Sequence, residues 1–258
     1  EGFRYKWDLG DGSAVRETSN AEEIYSYPNG GLYTVKYTYS DDGGVTWKDW
    51  KTAANKVVIA PETIYVDSNG TNPVAPYKTP QTAATTLSDA FGALTNTLSA
   101  NLPTVAGATV RLCRGTTVDL SGYEMSFPMT ICGDTDDPTD AVIANATTAL
   151  TLTLSDNGAT LSNLTVRATG GAGEKTMGGN VSISAGLIAN CILDGGKTKG
   201  TVVNYGGNVY MRGGVIRRSV LCNGQCGRGV DSGKPGCGGN LYMSDGLVED
   251  SLITDGGK

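Results

Sequence analysis

The chain has 258 residues, 18% of them charged, and 26 acidic against 20 basic side chains give it a net charge of −6. This balance disfavours a nucleic-acid or anionic-membrane partner, because both require a basic face. The sequence contains no histidine, which excludes a Ser-His-Asp triad, a histidine-ligated zinc ion and histidine acid–base chemistry within this chain. No apolar run is long enough to predict a membrane-spanning segment.

Residues 1–62 predict a module of antiparallel β-strands. Residues 32–39 alternate apolar or aromatic side chains with polar ones, which is the period of a half-buried strand. Residues 56–60 form a second apolar run that ends at Pro61. Between these runs, residues 41–44 supply the Asp and Gly pairs that a tight hairpin requires.

Three segments of this module resemble the PKD family of immunoglobulin-like β-sandwiches. They are Trp7–Gly12 (WDLGDG), Tyr25–Pro28 (YSYP) and Gly31–Val35 (GLYTV). The resemblance implies a spacer or interaction module of extracellular proteins, and it implies no catalytic residues.

A second pattern in the module, Ser40-x-Asp42-x-Gly44-x-Thr46-Trp47, resembles an Asp-box. That motif closes a β-hairpin in sialidase propellers and in unrelated proteins, so a single copy indicates a hairpin here.

The three tryptophans and two aspartates of the module are candidate ligand contacts. Trp47 and Trp50 could stack on a sugar or pack the hairpin, whereas Trp7 is predicted to lie in the core. Asp8 and Asp11 could ligate calcium through oxygen, although capping of the turn is the commoner role of such residues.

Two landmarks recur along the second half of the chain. One is a glycine followed by an apolar run, at Gly158, Gly186, Gly214 and Gly246; its first two intervals are equal and its third is four residues longer. The other is Gly-Gly-Asn, which begins at Gly178, Gly206 and Gly238 and repeats the same short and long intervals. Self-similarity at a fixed period is the signature of a repeat architecture. The four extra residues of the last unit are expected between Leu221 and Gly238.

Each repeat contains apolar runs that are too short for sandwich strands but fit the flat sides of a coil, so we predict a parallel β-solenoid. The fifth position after the landmark glycine is small, and the next position is aliphatic. Both columns are expected to lie in the stacked interior. They comprise Asn163, Cys191, Ser219 and Ser251, followed by Leu164, Ile192, Val220 and Leu252.

The start of the solenoid is also predicted. Residues 63–67 form a strand, and Thr79 and Pro80 then begin an amphipathic helix over residues 80–98. This helix would cover the open first coil, whose edge would otherwise be exposed. Together with the strand around Cys113, this order resembles the entry to the right-handed β-helix of the pectin-lyase-like superfamily. The resemblance covers residues 63–258.

No capping element follows the last coil, which ends at Lys258. Because terminal repeats of solenoids need a protective outer face, we expect the native chain to continue, or this edge to dock on a partner.

Several cysteines are candidates for disulfide bonds. Cys113 and Cys132 lie near each other along the chain in similar strand contexts, and they form either a disulfide between successive coils or two stacked buried thiols. Cys222, Cys226 and Cys237 crowd the insertion, where one pair is expected to be bonded. A zinc site there lacks a fourth ligand.

Enzymes of the pectin-lyase-like superfamily use carboxylates, often with calcium, and an Arg or Lys base, but no catalytic motif of the family is matched here. Arg217 and Arg218 precede Glu249 and Asp250 by the same interval that separates the last two landmark glycines. Opposed charges at matching positions of adjacent coils form either a surface ion ladder or a catalytic cluster. A further acidic segment either holds calcium or forms a solvated turn. Its carboxylates are Asp134, Asp136, Asp137 and Asp140.

The sequence therefore predicts an all-β protein, with an immunoglobulin-like β-sandwich in residues 1–62 and a right-handed parallel β-helix with a capping α-helix in residues 63–258. We expect a secreted bacterial protein, extracellular or on the cell surface. Its role would be structural, adhesive or glycan-binding, with a polysaccharide or another cell-surface protein as partner. The alternative is a polysaccharide lyase or glycoside hydrolase. Calcium is the one cofactor that the sequence suggests.

Overall fold

The structure, a computed structural model, describes residues 2–27, 31–54, 57–59, 63–95, 107–170, 177–198, 204–227 and 238–256. It divides into two compact units. Among the described residues, the smaller unit comprises those of Glu1–Pro61 together with Thr95, and the larger unit comprises those of Glu62–Leu94 and Val105–Lys258.

The smaller unit is a four-stranded antiparallel sheet with a separate pair of antiparallel strands. The sheet has the order β2-β1-β4-β5, and β3 pairs with β6. The bounds are β1 Arg4–Asp8, β2 Arg16–Thr18, β3 Gly31–Tyr33, β4 Lys36–Ser40, β5 Lys51–Thr52 and β6 Val57–Ile59.

The single strand predicted over residues 32–39 is divided into β3 and β4, so that prediction was wrong. Leu32 of β3 pairs with Val58, whereas Tyr37 of β4 pairs with Trp7. The chain therefore changes its pairing partner within residues 34–35, which lie in neither strand. The periodicity of two continues through this change, which is why the pattern alone did not reveal it.

One face of the four-stranded sheet carries a row of aromatic rings. Tyr5 and Trp7 lie opposite Tyr39 and Tyr37 in the antiparallel register. The centroids of these two cross-strand ring pairs are 6.5 and 5.8 Å apart. Such cross-strand pairs are the unit of sheet stabilisation.

The larger unit is a parallel β-solenoid of about four turns, as the repeat predicted. Its strand bounds are β7 Thr63–Val66, β8 Ala108–Leu112, β9 Thr116–Asp119, β10 Tyr123–Met125, β11 Met129–Gly133, β12 Ala141–Asn145, β13 Leu152–Leu154, β14 Thr160–Ser162, β15 Thr165–Ala168, β16 Val181–Ile183, β17 Leu187–Ala189, β18 Ile192–Asp194, β19 Lys197–Thr198, β20 Val209–Arg217, β21 Val220–Cys222, β22 Gln225–Cys226, β23 Leu241–Glu249 and β24 Leu252–Ile253.

These strands stack into three long parallel faces. The first face contains β10, β13, β16 and the beginnings of β20 and β23. The second contains β7, β8, β11, β14, β17 and the ends of β20 and β23. The third runs from β9 through β12, β15, β18 and β21 to β24. A short fourth pair is formed by β19 and β22.

The predicted helix over residues 80–98 is shorter than expected. Pro80–Thr82 is a 3₁₀ turn, and the α-helix α1 spans Leu87–Thr95. Between the two, the backbone N–H of Ala84 donates to the carbonyl of Tyr65. This bridge to β7 holds the chain extended and delays the helix. Residues 96–98 of the prediction lie outside the described residues.

Thr86 caps the N-terminus of helix α1 with its side chain. The backbone N–H of Asp89 donates to the hydroxyl of Thr86 at 3.0 Å, and that hydroxyl donates to the Asp89 carboxylate at 2.7 Å. The buried face of the helix joins the core of the solenoid through Leu87, Ala90 and Leu94. The helix therefore covers the beginning of the solenoid interior.

The pairing of the strands confirms the two repeat lengths, one shorter and one longer, that the sequence predicts for the later coils. Ile188, Ile216 and Val248 stack in one column. The pairing of β19 with β22 keeps the shorter interval as far as Cys226, so the extra residues of the last unit lie between Cys226 and Leu241.

The first predicted interval, however, is wrong by one residue. The equivalence of Gly158 with Gly186 predicts Ala189 as the partner of Leu161, but Leu161 pairs with Ile188. Asn163 therefore aligns with Asn190 and not with Cys191.

The inward column is consequently Leu164, Cys191 and Ser219, which are 0%, 1% and 2% exposed. The aliphatic residues predicted to follow on the interior, Ile192 and Val220, are only partly buried. Each predicted column is therefore only partly correct: Cys191 and Ser219 of the small column and Leu164 of the aliphatic column face inward, whereas the other described members do not lie in the buried interior.

A corner with positive φ separates the second and third faces in successive coils. It is occupied by Asn163, Asn190, Arg218 and Asp250, with φ between 47° and 56°. Asparagine and aspartate tolerate this left-handed conformation better than most residues. The corner is therefore a repeated turn. From sequence, Asn163 was expected in the interior, and Arg218 and Asp250 were expected in a surface ion ladder or a catalytic cluster.

The last described coil exposes apolar side chains that are buried at equivalent positions of earlier coils. Met243 is 42% exposed and Ile253 is 48% exposed, whereas their register partners Met211 and Leu221 are fully buried. The expectation that something covers this edge stays a prediction.

Candidate functional site

The hairpin predicted by the Asp-box pattern joins β4 to β5. The Asp42 carboxylate accepts hydrogen bonds from the Ser40 hydroxyl at 2.5 Å and from the Thr46 hydroxyl at 2.6 Å. It also accepts from the backbone N–H groups of Val45 and Thr46 at 3.0 and 2.9 Å. These donors hold the pKa of Asp42 far below its usual range. The carboxylate acts as the centre of the turn.

The tryptophans of this unit are engaged with their neighbours to different degrees. The Lys6 ammonium lies 3.9 Å from the centroid of the Trp47 ring, a cation–π contact. Trp7 is half-buried in the aromatic row, and its indole N–H donates to the Thr18 hydroxyl at 3.1 Å. Trp50 is 47% exposed. Trp47 and Trp50 therefore stay candidates for ligand binding, with one ring already covered by a cation.

Asp8 and Asp11 cap the turn that follows β1. Asp8 accepts from the backbone N–H of Gly10 at 3.0 Å. Asp11 accepts from the backbone and the hydroxyl of Ser13, and from the Tyr25 hydroxyl at 2.7 Å. These donors lower the pKa of Asp11 to about 2. Both carboxylates serve the capping role that the sequence left as an alternative to calcium binding.

The acidic segment after β11 has its carboxylates divided between separate partners. Asp134 pairs with Arg111 at 3.4 Å, and Asp140 pairs with Arg114 at 3.2 Å. Each pair joins neighbouring coils on the solenoid surface. Exposed pairs of this kind contribute about 0–1 kcal/mol.

The other two carboxylates of the segment support turns. Asp137 accepts from the backbone N–H of Thr139 at 2.9 Å and from its hydroxyl at 2.7 Å, and these bonds lower its pKa. Asp136 accepts from the Asn163 side chain at 3.4 Å, and its backbone carbonyl accepts from Asn190 at 2.7 Å. The structure therefore does not direct the four predicted calcium ligands at one point.

The predicted charge ladder on adjacent coils is in register, but its charges are not paired. Arg217 lies opposite Glu249 in the parallel pairing of β20 with β23. Arg218 and Asp250 occupy the left-handed corner. No ion pair within 4.0 Å joins these four residues in the described part of the chain. The Nε atom of Arg217 is buried without a hydrogen-bond partner among the described residues.

A charge ladder that sequence reasoning missed lies on the third face. Arg167 and Asp194 are adjacent in register, with Nε 2.9 Å from the carboxylate. The next coil adds Asn223, whose side chain donates to Asp194 at 2.8 Å, and the Cys222 thiol at 3.7 Å. The separation of Arg167 and Asp194 by one coil length is the signal that would have identified the pair.

Of the two alternatives that the sequence left open for Cys113 and Cys132, the structure shows buried free thiols and not a disulfide bond. Cys132 lies opposite Arg111 in the register of β11 with β8, so the two cysteines are offset by two residues. Such diagonal neighbours are separated by roughly 7–8 Å, too far for a disulfide. Both thiols are free and buried. Burial raises the pKa of Cys113 to about 11.

The remaining described cysteines are also free thiols. Cys222 is partly exposed over Asp194, and Cys226 is buried beneath the carbonyl of Asn204. Cys237 lies outside the described residues. Cys191 is enclosed in the interior, as expected for its column, and burial raises its pKa to about 12.

Asparagines of the Gly-Gly-Asn repeat form a buried ladder that was also missed. The ladder consists of Asn180, Asn208 and Asn240, which are 0%, 0% and 4% exposed. The two N–H groups of the Asn208 amide are shared among three acceptors: the carbonyls of Leu193 at 2.9 Å and Cys222 at 2.5 Å, and the Asn240 side-chain oxygen at 2.9 Å. Its own carbonyl accepts from the backbone N–H of Gly196 at 2.8 Å. Each asparagine thus satisfies backbone groups at a corner, as buried polar groups require.

Three tyrosines cluster on the outside of the first face. Tyr210 and Tyr242 are opposite in register, and their rings are stacked with centroids 5.5 Å apart. Tyr205 packs on Tyr242 at 4.5 Å, and the Arg212 guanidinium lies 5.5 Å from the Tyr210 ring. The three tyrosines therefore contact one another or Arg212, and each of them is partly buried.

No group of three or more Cys, Asp or Glu side chains in the described ranges is arranged to hold a metal ion. Within the same ranges, no helix combines the length and the apolar character that crossing a membrane requires.

The fold is thus that of a parallel β-solenoid with a small N-terminal antiparallel sheet. Comparison with protein-family models, curated proteins and solved structures finds no match for the chain.

Proposed function

We propose that this chain is part of a secreted bacterial protein, extracellular or on the cell surface. A PKD-like, immunoglobulin-like domain would be followed by a right-handed parallel β-helix. The β-helix would act as a rigid shaft with a structural, adhesive or glycan-binding role. The partner would be a polysaccharide or another cell-surface protein.

The observation that carries the proposal is the continuous stack of coils. Neighbouring coils are joined by packed and hydrogen-bonded side chains in the interior and by ion pairs on the surface. Its interior column runs through Leu161, Ile188 and Ile216, all of them fully buried. The Asn208–Asn240 bond adds a polar tie at 2.9 Å within that interior. A body in which every coil is bonded to the next is suited to hold two points at a fixed distance.

The arrangement of the surface carboxylates also supports a non-catalytic role. Asp134, Asp140 and Asp194 are each paired with an arginine of a neighbouring coil. A general acid or base needs a carboxylate that faces substrate with a second group in reach. These three carboxylates instead form ion pairs between neighbouring coils.

One observation favours the alternative, a polysaccharide lyase or glycoside hydrolase. Arg217 and Glu249 are adjacent in register without forming an ion pair in the described structure, so an acid and a cation lie together on one face. This pair is where an active site would be sought on the described coils.

A depolymerisation and retention assay tests the proposal. The chain would be incubated with immobilised and soluble polysaccharides, neutral and acidic, with and without calcium. Product length would be followed by size-exclusion chromatography, and new chain ends by reducing-end and double-bond assays. Glu249→Gln and Arg217→Gln would be compared with Asp49→Asn, which changes an exposed carboxylate of the other unit.

Retention of a polysaccharide with unchanged chain length would support the binding role. Chain shortening by the wild type that is lost in Glu249→Gln or Arg217→Gln, but kept in Asp49→Asn, would overturn it in favour of the enzyme.

A further inference from the structure

A groove of about 470 Å³ lies between helix α1 and the first two coils of the solenoid. Helix α1 contributes Ser88 and Phe91, the residues after β9 contribute 119–121, and the end of β12 contributes 144–147. The volume falls in the range of small-molecule sites, roughly 300–1,000 Å³. All of these residues belong to the larger unit.

The apolar wall of the groove is held in place from behind. The Phe91 ring stacks on Tyr123 with centroids 4.2 Å apart and planes inclined by 7°. The Tyr123 hydroxyl contacts the Met129 sulfur at 3.5 Å, and burial raises the pKa of Tyr123 to about 12. Leu120 also lines the groove and packs against the core. The wall is therefore a fixed aromatic and aliphatic surface.

Part of the polar lining is committed to the fold. Asn145 accepts from the backbone N–H of Thr147 at 2.8 Å and from its hydroxyl at 2.7 Å. The Asn145 amide donates to the carbonyl of Ala149 at 2.7 Å and to the Thr151 hydroxyl at 3.0 Å. The Asn145 side chain is therefore held in place by hydrogen bonds within the protein.

Another part of the polar lining has no partner in the described part of the chain. The Asp119 carboxylate and the hydroxyls of Ser88 and Ser121 are exposed and make no hydrogen bond or ion pair there. Asp119 is held by β9, in which Val118 and Thr116 point into the interior. The groove thus combines a rigid apolar wall with one carboxylate and two hydroxyls.

We propose that this groove is a binding site for a neutral or amino sugar unit of a glycan. A pyranose ring has apolar C–H faces that would pack on Phe91 and Leu120, and hydroxyl groups that would donate to Asp119. The hydroxyls of Ser88 and Ser121 would bond to the remaining ring oxygens. The lining contains no lysine or arginine, and the chain has a net charge of −6, so an acidic sugar is disfavoured.

This assignment rests on the proposed glycan-binding role, and it gives that role a place on the molecule. The site lies on the larger unit, away from the tryptophans that the sequence suggested for sugar stacking. Trp7, Trp47 and Trp50 are the three tryptophans of the chain, and all belong to the smaller unit. Saccharide binding in the groove is therefore expected to leave tryptophan emission unchanged.

The test is isothermal titration calorimetry of the full chain with defined probes. The probes are glucose, galactose, mannose, glucosamine and N-acetylglucosamine with their short β-linked oligomers, and glucuronic acid as the anionic comparison. The groove variants are Asp119→Asn and Ser121→Ala, with Phe91→Leu as a third. Asp49→Asn, which neutralises an exposed carboxylate of the other unit, is the matched control, and far-UV circular dichroism verifies the fold of each variant.

The expected result is that a neutral or amino sugar binds, and that Asp119→Asn weakens its affinity roughly tenfold or more, the effect of losing a charge-assisted hydrogen bond. The Asp49→Asn control would bind like the wild type. Binding that is unchanged in the folded groove variants would overturn the groove assignment and leave the glycan-binding role standing. Failure of the wild type to bind any of these sugars would overturn the groove assignment. Polysaccharide retention in the earlier assay would then decide the glycan-binding role separately.

Discussion

The two units of this chain are both built from short strands, but they are stabilised in different ways. In the smaller unit, the buried side chains among the described residues are Leu9, Thr38 and Ser40. Its order comes from cross-strand aromatic pairs and from turns centred on Asp11 and Asp42. The solenoid instead encloses one continuous column of aliphatic side chains, almost all with no exposure.

Because of this difference, the same residue type has a different structural role in each unit. In the smaller unit, Gly and Asp mark individual turns and a substitution would act locally. In the solenoid, a position matters through the column above and below it, because each coil contacts only its neighbours. The two units can be observed separately, since tryptophan emission reports on the smaller unit alone.

The largest effect is expected from a cavity in the solenoid column. Leu161 is fully buried between Ile131 and Ile188 of the neighbouring coils. Leu161→Ala should lower the free energy of unfolding by roughly 2–5 kcal/mol, because it removes buried methyl groups and leaves a cavity. Urea unfolding followed by far-UV circular dichroism measures this loss.

Thr160→Ala is the matched control for Leu161→Ala, since Thr160 lies next to Leu161 on the outward side of the same strand and is only partly buried. It should change the free energy of unfolding by less than about 0.5 kcal/mol. Tryptophan emission should keep its wild-type midpoint in Leu161→Ala. A common shift of both signals would show that the two units unfold together and would contradict the separation drawn above.

The next effect is expected from the asparagine ladder. Asn208→Leu removes the bonds to Leu193, Cys222 and Asn240, and it leaves the buried N–H of Gly196 without its acceptor. An unsatisfied buried group of this kind costs about 1–3 kcal/mol. The loss would be measured by urea unfolding followed by circular dichroism.

Asn180→Leu provides the comparison within the same ladder. Asn180 donates to the carbonyls of Val166 and Asp194, but its side-chain oxygen accepts no hydrogen bond among the described residues. It should therefore destabilise the solenoid less than Asn208→Leu does. Equal losses would show that the ladder is stabilised by packing and not by its hydrogen bonds.

The architecture of the solenoid could be predicted because its signal is repeated. Two landmarks that share the same irregular pattern of intervals define the coils whatever the identity of a single residue. The error of one residue in the first repeat length arose because that length was measured from a single glycine, Gly158. Ala159, and not Gly158, is the equivalent of Gly186, because the carbonyl of Ala159 accepts from the N–H of Leu187 at the coil corner.

The contacts that decide the candidate site could not be predicted in the same way. Asp119 and Phe91 lie far apart in sequence and both line the groove, where Phe91 is carried by helix α1. The helix begins only after Ala84 has bridged to β7. The predicted helix over residues 80–98 did not contain that break. Side-chain pairs such as Asn163 with Asp136 also depend on how neighbouring coils align. An error of one residue in that alignment predicts a different partner.

A smaller and more local effect is expected in the N-terminal sheet. Asp42→Ala removes the acceptor for Ser40, Val45 and Thr46 at once. It should lower the thermal midpoint reported by tryptophan emission, because the hairpin between β4 and β5 loses the centre of its turn. Asp49→Ala, in the same hairpin and without a side-chain partner in the described ranges, should leave the midpoint close to the wild-type value. Equal midpoints for the two variants would argue against the turn as a source of order.

The smallest effect is a difference in the acid response of the two units. The pKa of Asp42 lies far below its usual range and that of Asp11 is about 2 in the folded sheet. A carboxylate with a lowered folded pKa contributes stability above its unfolded pKa, near 4, and that contribution is lost as the pH falls through the folded value. The urea midpoint of tryptophan emission should therefore decrease between about pH 4 and pH 2.

The solenoid contains groups that act in the opposite direction. Burial raises the pKa of Cys191 and of Tyr123 to about 12. Their contribution is complete below the unfolded pKa and is lost as the pH rises through the folded value, so these groups weaken the solenoid at alkaline pH.

Between pH 4 and pH 2, Asp42→Asn should reduce the pH dependence of tryptophan emission and leave the circular dichroism transition of the solenoid unchanged. If Asp42→Asn kept the full acid dependence, the turn carboxylate would not be its source.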